Sequence, residues 1–213
     1  MADLILGSTT AITESGGTLT YVKSGGLKSR QIFTATGTWN KPSGITTIKV
    51  QVQGSGGGGG SWQTGGGAGG YGEKLIDVTS ISSETVTVGE PGAGGTNAAQ
   101  VGGTVSFGSH VTATGGQVHH SGTTNNPGTG GNCSGGDINM KGGGGLTSHT
   151  GEATMCSAGG ASFFGGGPPG RYNATPQDGN TEGGAYGTGG ASAEGSGHGG
   201  DGVKGVIIVE EYA

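Results

Sequence analysis

The sequence predicts an all-β protein in which a β-sandwich scaffold carries a long glycine-rich insertion. Apolar residues alternate with polar ones in several stretches, which is the period of two that strands show, and no stretch has the 3.6-residue apolar period of a helix. The second observation is composition: 57 of the 213 residues are glycine. Between His119 and Asp201 the only branched aliphatic residues are Ile138 and Leu146, too few for an ordinary hydrophobic core.

Strand candidates lie towards both ends of the chain. A weak pattern between residues 4 and 22 precedes stronger candidates at 32–34, 45–53, 73–78, 84–88, 104–114 and 203–212. In the second of these, Ile48, Val50 and Val52 share one face, as the side-chain alternation of a strand requires. The continuous apolar run 206–209 predicts a central strand. Together these patterns predict a scaffold of five to seven strands, most simply a sandwich.

The last strand follows the glycine-rich region, so this region is predicted to be an insertion with both ends fixed. We expect an N-terminal attachment segment at 1–30 and a glycine-rich domain at 31–213. Scaffold strands occupy about 31–114 and 203–212 of that domain, and the insertion about 115–202. An insertion of about 85 residues far exceeds the usual length of a structureless loop. It therefore either carries function or has a structure of its own.

Polyproline-II helices offer one way to order such a chain. They have three residues per turn and bond to neighbouring chains, and glycine allows them to pack closely. Collagen is excluded because there is no strict Gly-X-Y period and the chain has only 6 prolines. A bundle of short polyproline-II-like segments and a set of irregular loops both fit the sequence.

Composition argues against several classes of partner. The net charge is −5 with only 9 Lys and Arg residues, and no basic run exists, so nucleic-acid binding is not expected. No window approaches the roughly 20 apolar residues of a membrane span, and the N-terminal MADLILG lacks the features of a signal peptide. Cys133 and Cys156 are expected to be free thiols, although pairing stays open.

Motifs for catalysis and cofactor binding are absent from the sequence. The acidic residues of the insertion occur singly, and neither a G-x-S-x-G nucleophile elbow nor a phosphate-binding G-x-x-x-x-G-K-[ST] is present. The Gly-Asp-Gly sequence at 200–202 resembles a fragment of a calcium repeat, but tight turns explain it more simply. The histidines and cysteines lack metal-ligand spacing. We therefore expect neither an enzyme nor a bound cofactor or metal.

Aromatic and basic residues among the glycines are the candidates for molecular contact. Exposed aromatic rings and Arg give a small surface high contact energy, and flat rings also suit sugars. Phe163 and Phe164 are interpreted as a local mini-core, with an exposed role as the alternative. The predicted receptor-contact residues are Trp62, His119, His120, Arg171, Tyr172 and Tyr186.

Short motifs follow one another in a fixed order along residues 31–212. They are Phe33, Thr38-Trp39, Pro42, Gly92 and the stretches 44–45, 48–60, 68–73, 86–89, 94–95 and 199–209. As a set in this order they resemble the glycine-rich domains of bacteriophage tail-fibre proteins. The resemblance implies a virion tail-fibre or fibre-tip domain. Some phage adhesins of similar composition carry bundled polyproline-II helices whose distal loops touch the host receptor.

The function expected from this resemblance is attachment of a virion to the host cell surface through glycine-rich loops. Expected partners are other phage tail or fibre proteins and a bacterial surface receptor, either a polysaccharide or an outer-membrane protein. A homo-oligomer is expected, with a trimer favoured. The main alternative is a structural virion component, such as a tail adaptor or capsid decoration, without receptor binding. Ice binding through flat polyproline-II faces is a further alternative.

Overall fold

The computed structural model describes seven ranges in full: 26–60, 64–96, 99–118, 126–147, 157–170, 184–193 and 197–213. Before residue 22 it describes the backbone of three strands: β1 (Leu4–Leu6), β2 (Thr9–Ser15) and β3 (Thr18–Tyr21). These form an antiparallel sheet in the order β1-β2-β3. All regular elements in the described ranges are strands, and none of these residues forms a helix that could span a membrane. The predicted all-β class is thus confirmed.

Two five-stranded antiparallel sheets form the scaffold. The first has the order β12-β7-β6-β13-β4 and the second β11-β10-β9-β8-β5. Their strands are β4 (Leu27–Phe33), β5 (Gly37–Asn40), β6 (Thr47–Gln53), β7 (Tyr71–Asp77), β8 (Ser83–Val88), β9 (Val105–Phe107), β10 (Val111–Ala113), β11 (Cys133–Ser134), β12 (Ile138–Met140) and β13 (Val206–Tyr212).

The hydrophobic core lies between the two sheets. In β6 the side chains of Ile48, Val50 and Val52 are fully buried, as their alternation predicted, because one face of the strand points into the sandwich. Strand β13 pairs with β6 on one side and β4 on the other, so the predicted interior position of the run 206–209 is also confirmed. The core residues are Trp39, Ile45, Ile48, Val50, Val52, Ile76, Val78, Val86, Val88, Val105, Phe107, Val111, Ala113, Ile207 and Val209.

A buried carboxylate interrupts this core. Glu211 has no exposed surface and accepts hydrogen bonds from Trp39 Nε1 and Gln31 Nε2, both at 2.7 Å, and from the Ser29 hydroxyl. A buried polar group without such partners destabilises the folded state. The three donors therefore fix the side chain of Trp39 and the pairing of β4 with β13.

Two expectations about the strands are wrong. Residues 104–114 form a hairpin of β9 and β10 instead of one strand, because Gly108 turns the chain with a φ of 50°, which favours glycine. The two scaffold sheets contain ten strands within the described residues, not five to seven. Strands β5, β11 and β12 have two to four residues, too few to show an apolar alternation.

Candidate functional site

Ten glycine-rich segments extend from one end of the sandwich. Eight of them directly continue a strand: the first begins after β6 and the second ends before β7, and this pattern repeats around the sandwich. Segments 1 to 10 are, in order, 54–60, 64–70, 89–96, 99–104, 114–118, 126–132, 141–147, 157–161, 187–193 and 197–205. Segments 1 to 4 come before residue 115, and strands β11 and β12 come after it. Glycine-rich segments and scaffold strands therefore alternate along the chain.

The hydrogen bonds of segment 1 show a period of three. Successive backbone N–H groups donate to three different neighbouring segments, and the fourth N–H returns to the first neighbour, with N···O distances of 2.8 to 3.2 Å. Three residues per turn, with bonds only to neighbours, is the geometry of a polyproline-II helix. The donors are Gly54, Gly57 and Gly60 to segment 2, Ser55 and Gly58 to segment 4, and Gly56 and Gly59 to segment 10.

Segments 1 and 2 are the centre of a regular bundle. All of their residues are buried, and each of the two segments makes backbone hydrogen bonds to six neighbours. Segments 3 to 10 surround them in chain order, and segment 10 closes the ring by donating to segment 3. Of the two arrangements that fit the sequence, the described residues therefore adopt the regular polyproline-II bundle.

Close packing of backbones explains the need for glycine. A Cβ atom on Gly56 would lie 1.8 Å from the carbonyl oxygen of Thr188, and one on Gly130 would lie 1.7 Å from that of Gly142. Real Cβ atoms essentially never approach within 3.0 Å of such an atom. Glycine is thus required by the distance between segments, and the many hydrogen bonds offset the large entropy that glycine loses on ordering.

Two buried polar side chains join the bundle to the sandwich. The Ser55 hydroxyl donates to the Gly89 carbonyl at 2.7 Å and accepts from the Gly205 amide at 2.8 Å. Gln53 Nε2 donates to the carbonyls of Gly69 and Gly70 at 2.8 and 3.1 Å, while its Oε1 is buried without a partner among the described residues. Both residues hold the point where strands become polyproline-II segments. The sequence reasoning missed them, although a polar residue at the start of a glycine run is a usable signal.

The end of the bundle remote from the sandwich is where outgoing segments connect to returning ones. Each odd-numbered segment leaves the sandwich and each even-numbered one returns, as the antiparallel bonds between Gly60 and Thr64 and between Gln117 and Thr129 illustrate. The connecting residues 61–63, 97–98, 119–125, 148–156 and 194–196 lie outside the described residues. Five connections thus leave the described structure at one end of a rigid bundle.

The structure divides the predicted contact residues into three groups. Trp62 belongs by sequence to the first connection at the remote end, and His119 and His120 to the third, but all three lie outside the described residues. Arg171 and Tyr172 lie outside them as well. Tyr186 is described, and it lies at the sandwich end of the bundle, next to the start of segment 9. Segment 9, residues 187–193, therefore separates Tyr186 from the remote end. At about 3.1 Å per residue this polyproline-II segment is about 20 Å long.

An aromatic cluster surrounds Tyr71 at this sandwich end. The ring of Phe163 stacks on that of Tyr71 with a centroid distance of 3.7 Å and an interplanar angle of 7°. Phe164 lies edge-on to Tyr71, and Tyr186 lies edge-on to Phe164 at 6.3 Å. The rings of Phe163 and Phe164 contact each other and Tyr71, as a local mini-core requires, but both rings are also exposed, so the mini-core interpretation stays a prediction.

A polar network adjoins the aromatic cluster on the outer face of the first sheet. Glu73 accepts hydrogen bonds from the Tyr71 hydroxyl at 2.6 Å, Lys49 Nζ at 2.7 Å and Gln51 Nε2 at 3.2 Å. Burial raises the pKa of the Glu73 carboxyl, but these hydrogen bonds together outweigh burial and hold the pKa below its ordinary value. The pKa of the Tyr71 hydroxyl is raised, mainly because the group is buried and next because it donates a hydrogen bond to Glu73. Glu73 is therefore a carboxylate at neutral pH with its lone pairs largely satisfied.

Residues that could hold a metal do not come together in the part of the chain that the structure describes, where no group of three or more His, Cys, Asp or Glu residues has that arrangement. Cys133 in β11 is half-buried and forms no disulfide with any cysteine that the structure describes, and burial raises the pKa of its thiol. A raised pKa favours the unreactive thiol form. Cys156 lies outside the described residues.

Comparison with known proteins identifies a family for most of the chain. A family model described as a glycine-rich domain matches residues 32–212, from the last two residues of β4 to the end of β13. The match therefore covers all ten segments and both five-stranded sheets except the first five residues of β4. None of the curated proteins compared matches the chain.

Proposed function

The chain belongs to the glycine-rich domain family, and from that premise we propose that it is a bacteriophage tail-fibre tip protein that attaches the virion to the host cell surface. The connections at the remote end of the bundle form the contact surface in this proposal. The sandwich and residues 1–30 serve as the attachment to the rest of the fibre. The protein is then located on the virion, with a bacterial polysaccharide or outer-membrane protein as its receptor.

One observation carries this proposal: five chain connections leave a close-packed bundle at the same end. Binding surfaces are commonly built from loops that a rigid scaffold holds in place, because fixed loop ends lower the entropy lost on binding. The inner segments are fully buried and hydrogen-bonded, so the bundle provides such a scaffold. The two longest of these connections, 119–125 and 148–156, offer the most chain for contact: the first leads into segment 6 and the second follows segment 7, its neighbour in the ring.

Assembly into a homotrimer would strengthen attachment. Three tips on one fibre convert later binding events into intramolecular ones, which raises overall avidity by about 10²–10⁴-fold without new contacts. Weak contacts at each tip would then suffice for stable adsorption.

Competition for adsorption tests the proposal. Purified full-length protein is added to host cells before virions, and the fraction of virions left unadsorbed is measured. We expect the wild-type protein to reduce adsorption. We expect the double variant His119→Ala, His120→Ala and the single variant Trp62→Ala to compete at least about tenfold less well, as for contact residues that contribute most of the binding energy.

A histidine at the opposite end provides the matched control. His110 lies in the turn between β9 and β10, on the side of the sandwich away from the bundle. The His110→Ala variant should compete like the wild type. Failure of the wild-type protein to compete, or full competition by the remote-end variants, would contradict the proposal.

A structural role in the virion is the second candidate, and the outer face of the first sheet favours it. On the neighbouring strands β7 and β12 this face exposes Leu75, Ile138 and Met140, and an exposed apolar patch is typical of contact with another protein. Labelling the chain on intact particles for electron microscopy separates the two candidates. Label at the distal fibre end supports attachment, whereas label on the tail trunk or capsid supports the structural role.

A further inference from the structure

Three aromatic rings at the sandwich end of the bundle are exposed without an evident structural need. Phe163 is 50% exposed, Tyr186 43% and Phe164 37%, whereas the Tyr71 beneath them is only 2% exposed. Burial of an aromatic ring on folding is favourable, so their exposed surface contributes little to stability. The exposed part of the cluster is therefore available to a ligand.

The rings are held in fixed positions. Tyr71 is anchored by hydrogen bonds to Glu73 and Gln51 at 2.6 and 2.9 Å, and Phe163 lies flat against it. The backbone between Ser162 and Gly165 forms a bridge, and the Phe164 amide donates to the Ser162 hydroxyl. Because the rings are already ordered, a ligand that stacks on them would bind with little loss of side-chain entropy.

A shallow depression lies beside the rings. Its volume is about 410 Å³, within the range of about 300–1,000 Å³ that small-molecule sites occupy. Its lining among the described residues is uncharged and consists of Phe164, Gly184, Ala185, Tyr186 and Val203. These five residues offer no Lys or Arg to pair with the negative charge of a nucleotide or an acidic sugar, so this lining favours a neutral ligand.

A hexopyranose ring combines the required properties. It presents C–H groups on its faces and hydroxyl groups around its edge. Aromatic faces carry partial negative charge that attracts C–H groups, while the Tyr186 hydroxyl can both donate and accept hydrogen bonds. Flat, exposed Phe and Tyr rings beside a neutral depression thus match an uncharged sugar better than an aliphatic or a charged ligand.

We propose that Phe163, Phe164 and Tyr186 form a binding site for a neutral hexopyranose, at the sandwich end and separate from the remote-end connections. The site is independent of the attachment proposed above, since a protein with either role could carry it. Because the site lies at the sandwich end, the chain could bind a saccharide there and a different target at the remote end at the same time.

Saturation-transfer NMR with the full chain tests this site. The probes are the methyl glycosides of glucose, galactose, mannose and N-acetylglucosamine, each at millimolar concentration. We expect transfer from the protein to the ring C–H protons of at least one probe, and a Kd about tenfold higher for the Phe164→Ser and Tyr186→Ser variants. Phe164→Ser also removes the edge-on contacts of this ring with Tyr71 and Phe163, whereas Tyr186 contacts only Phe164 among the described rings, so Tyr186→Ser leaves the stacked pair in place.

The matched control is Leu75→Ser, which removes a 61% exposed apolar side chain from the outer face of the first sheet. This variant should bind the probes like the wild type, and thermal denaturation should show all three variants folded. The proposal is overturned if no probe receives saturation, if Phe164→Ser and Tyr186→Ser bind normally, or if Leu75→Ser loses binding equally.

Discussion

Replacing Gly56 by alanine should separate two segments of the bundle. The new Cβ would lie 1.8 Å from the Thr188 carbonyl oxygen, where contacts under 3.0 Å essentially never occur, so segments 1 and 9 must move apart by roughly 1 Å or more. The Gly190 and Ala193 amides, which donate to segment 1 at 2.9 and 3.1 Å, would then exceed normal hydrogen-bond length.

The expected loss of stability follows from three contributions. Overpacking costs about 1–3 kcal/mol and two weakened hydrogen bonds about 1 kcal/mol each. Reduced freedom of the unfolded chain offsets about 0.4–1 kcal/mol. The net destabilisation is about 2–5 kcal/mol, which corresponds to a fall in Tm of roughly 4–20 °C for a chain of this size.

Thermal and urea denaturation followed by circular dichroism measure this loss. The matched control is Gly166→Ala, since a Cβ there would meet nothing within 4 Å, and we expect it to be neutral or slightly stabilising. Equal stability of the two variants would refute the reasoning that close approach of backbones requires glycine in the bundle.

Three further substitutions test other contacts, each by urea denaturation. Trp39→Phe leaves the buried Glu211 with one donor fewer and should destabilise by about 1–3 kcal/mol; an unchanged midpoint would show that this bond contributes nothing. Ser55→Ala removes the hydroxyl that bridges two backbone groups and should cost a similar amount, with wild-type stability as the contrary result. Glu73→Gln should cost about 1 kcal/mol or less at pH 7. Because the folded pKa of Glu73 is lowered, its contribution is present above the ordinary value of 4.5 and is lost as pH falls through the lowered value. The difference from wild type should therefore shrink at pH 3, and a constant difference would contradict that assignment.

The sandwich could be predicted from the sequence where side chains report their environment. Ile48, Val50 and Val52 alternate with polar residues because one face of β6 is buried, and β13 is continuously apolar because it lies between two strands. The short strand β5 escaped prediction because Trp39 is its only fully buried side chain. Its position is fixed by pairing with β8 and by the bond to Glu211.

The geometry of the bundle could not be read from the sequence, because glycine has no side chain with which to show a period. The order of segments depends on backbone bonds between residues far apart, such as Gly56 to Val203 and Gly67 to Gln117. The aromatic cluster illustrates the same limit. Phe163 and Phe164 stood out as aromatic residues among glycines, but the Tyr71 ring that both contact lies far from them in sequence.

Hydrogen exchange of the backbone amides tests most directly whether the glycine-rich region is an ordered bundle. Every amide of segment 1 donates to a neighbouring segment and every residue of segment 1 is buried. We therefore predict that amides 54–60 are protected to the same degree as those of β6 and β13, because exchange requires global unfolding. Exchange of segment 1 at the rate of a free glycine-rich chain, with β6 and β13 still protected, would contradict the account.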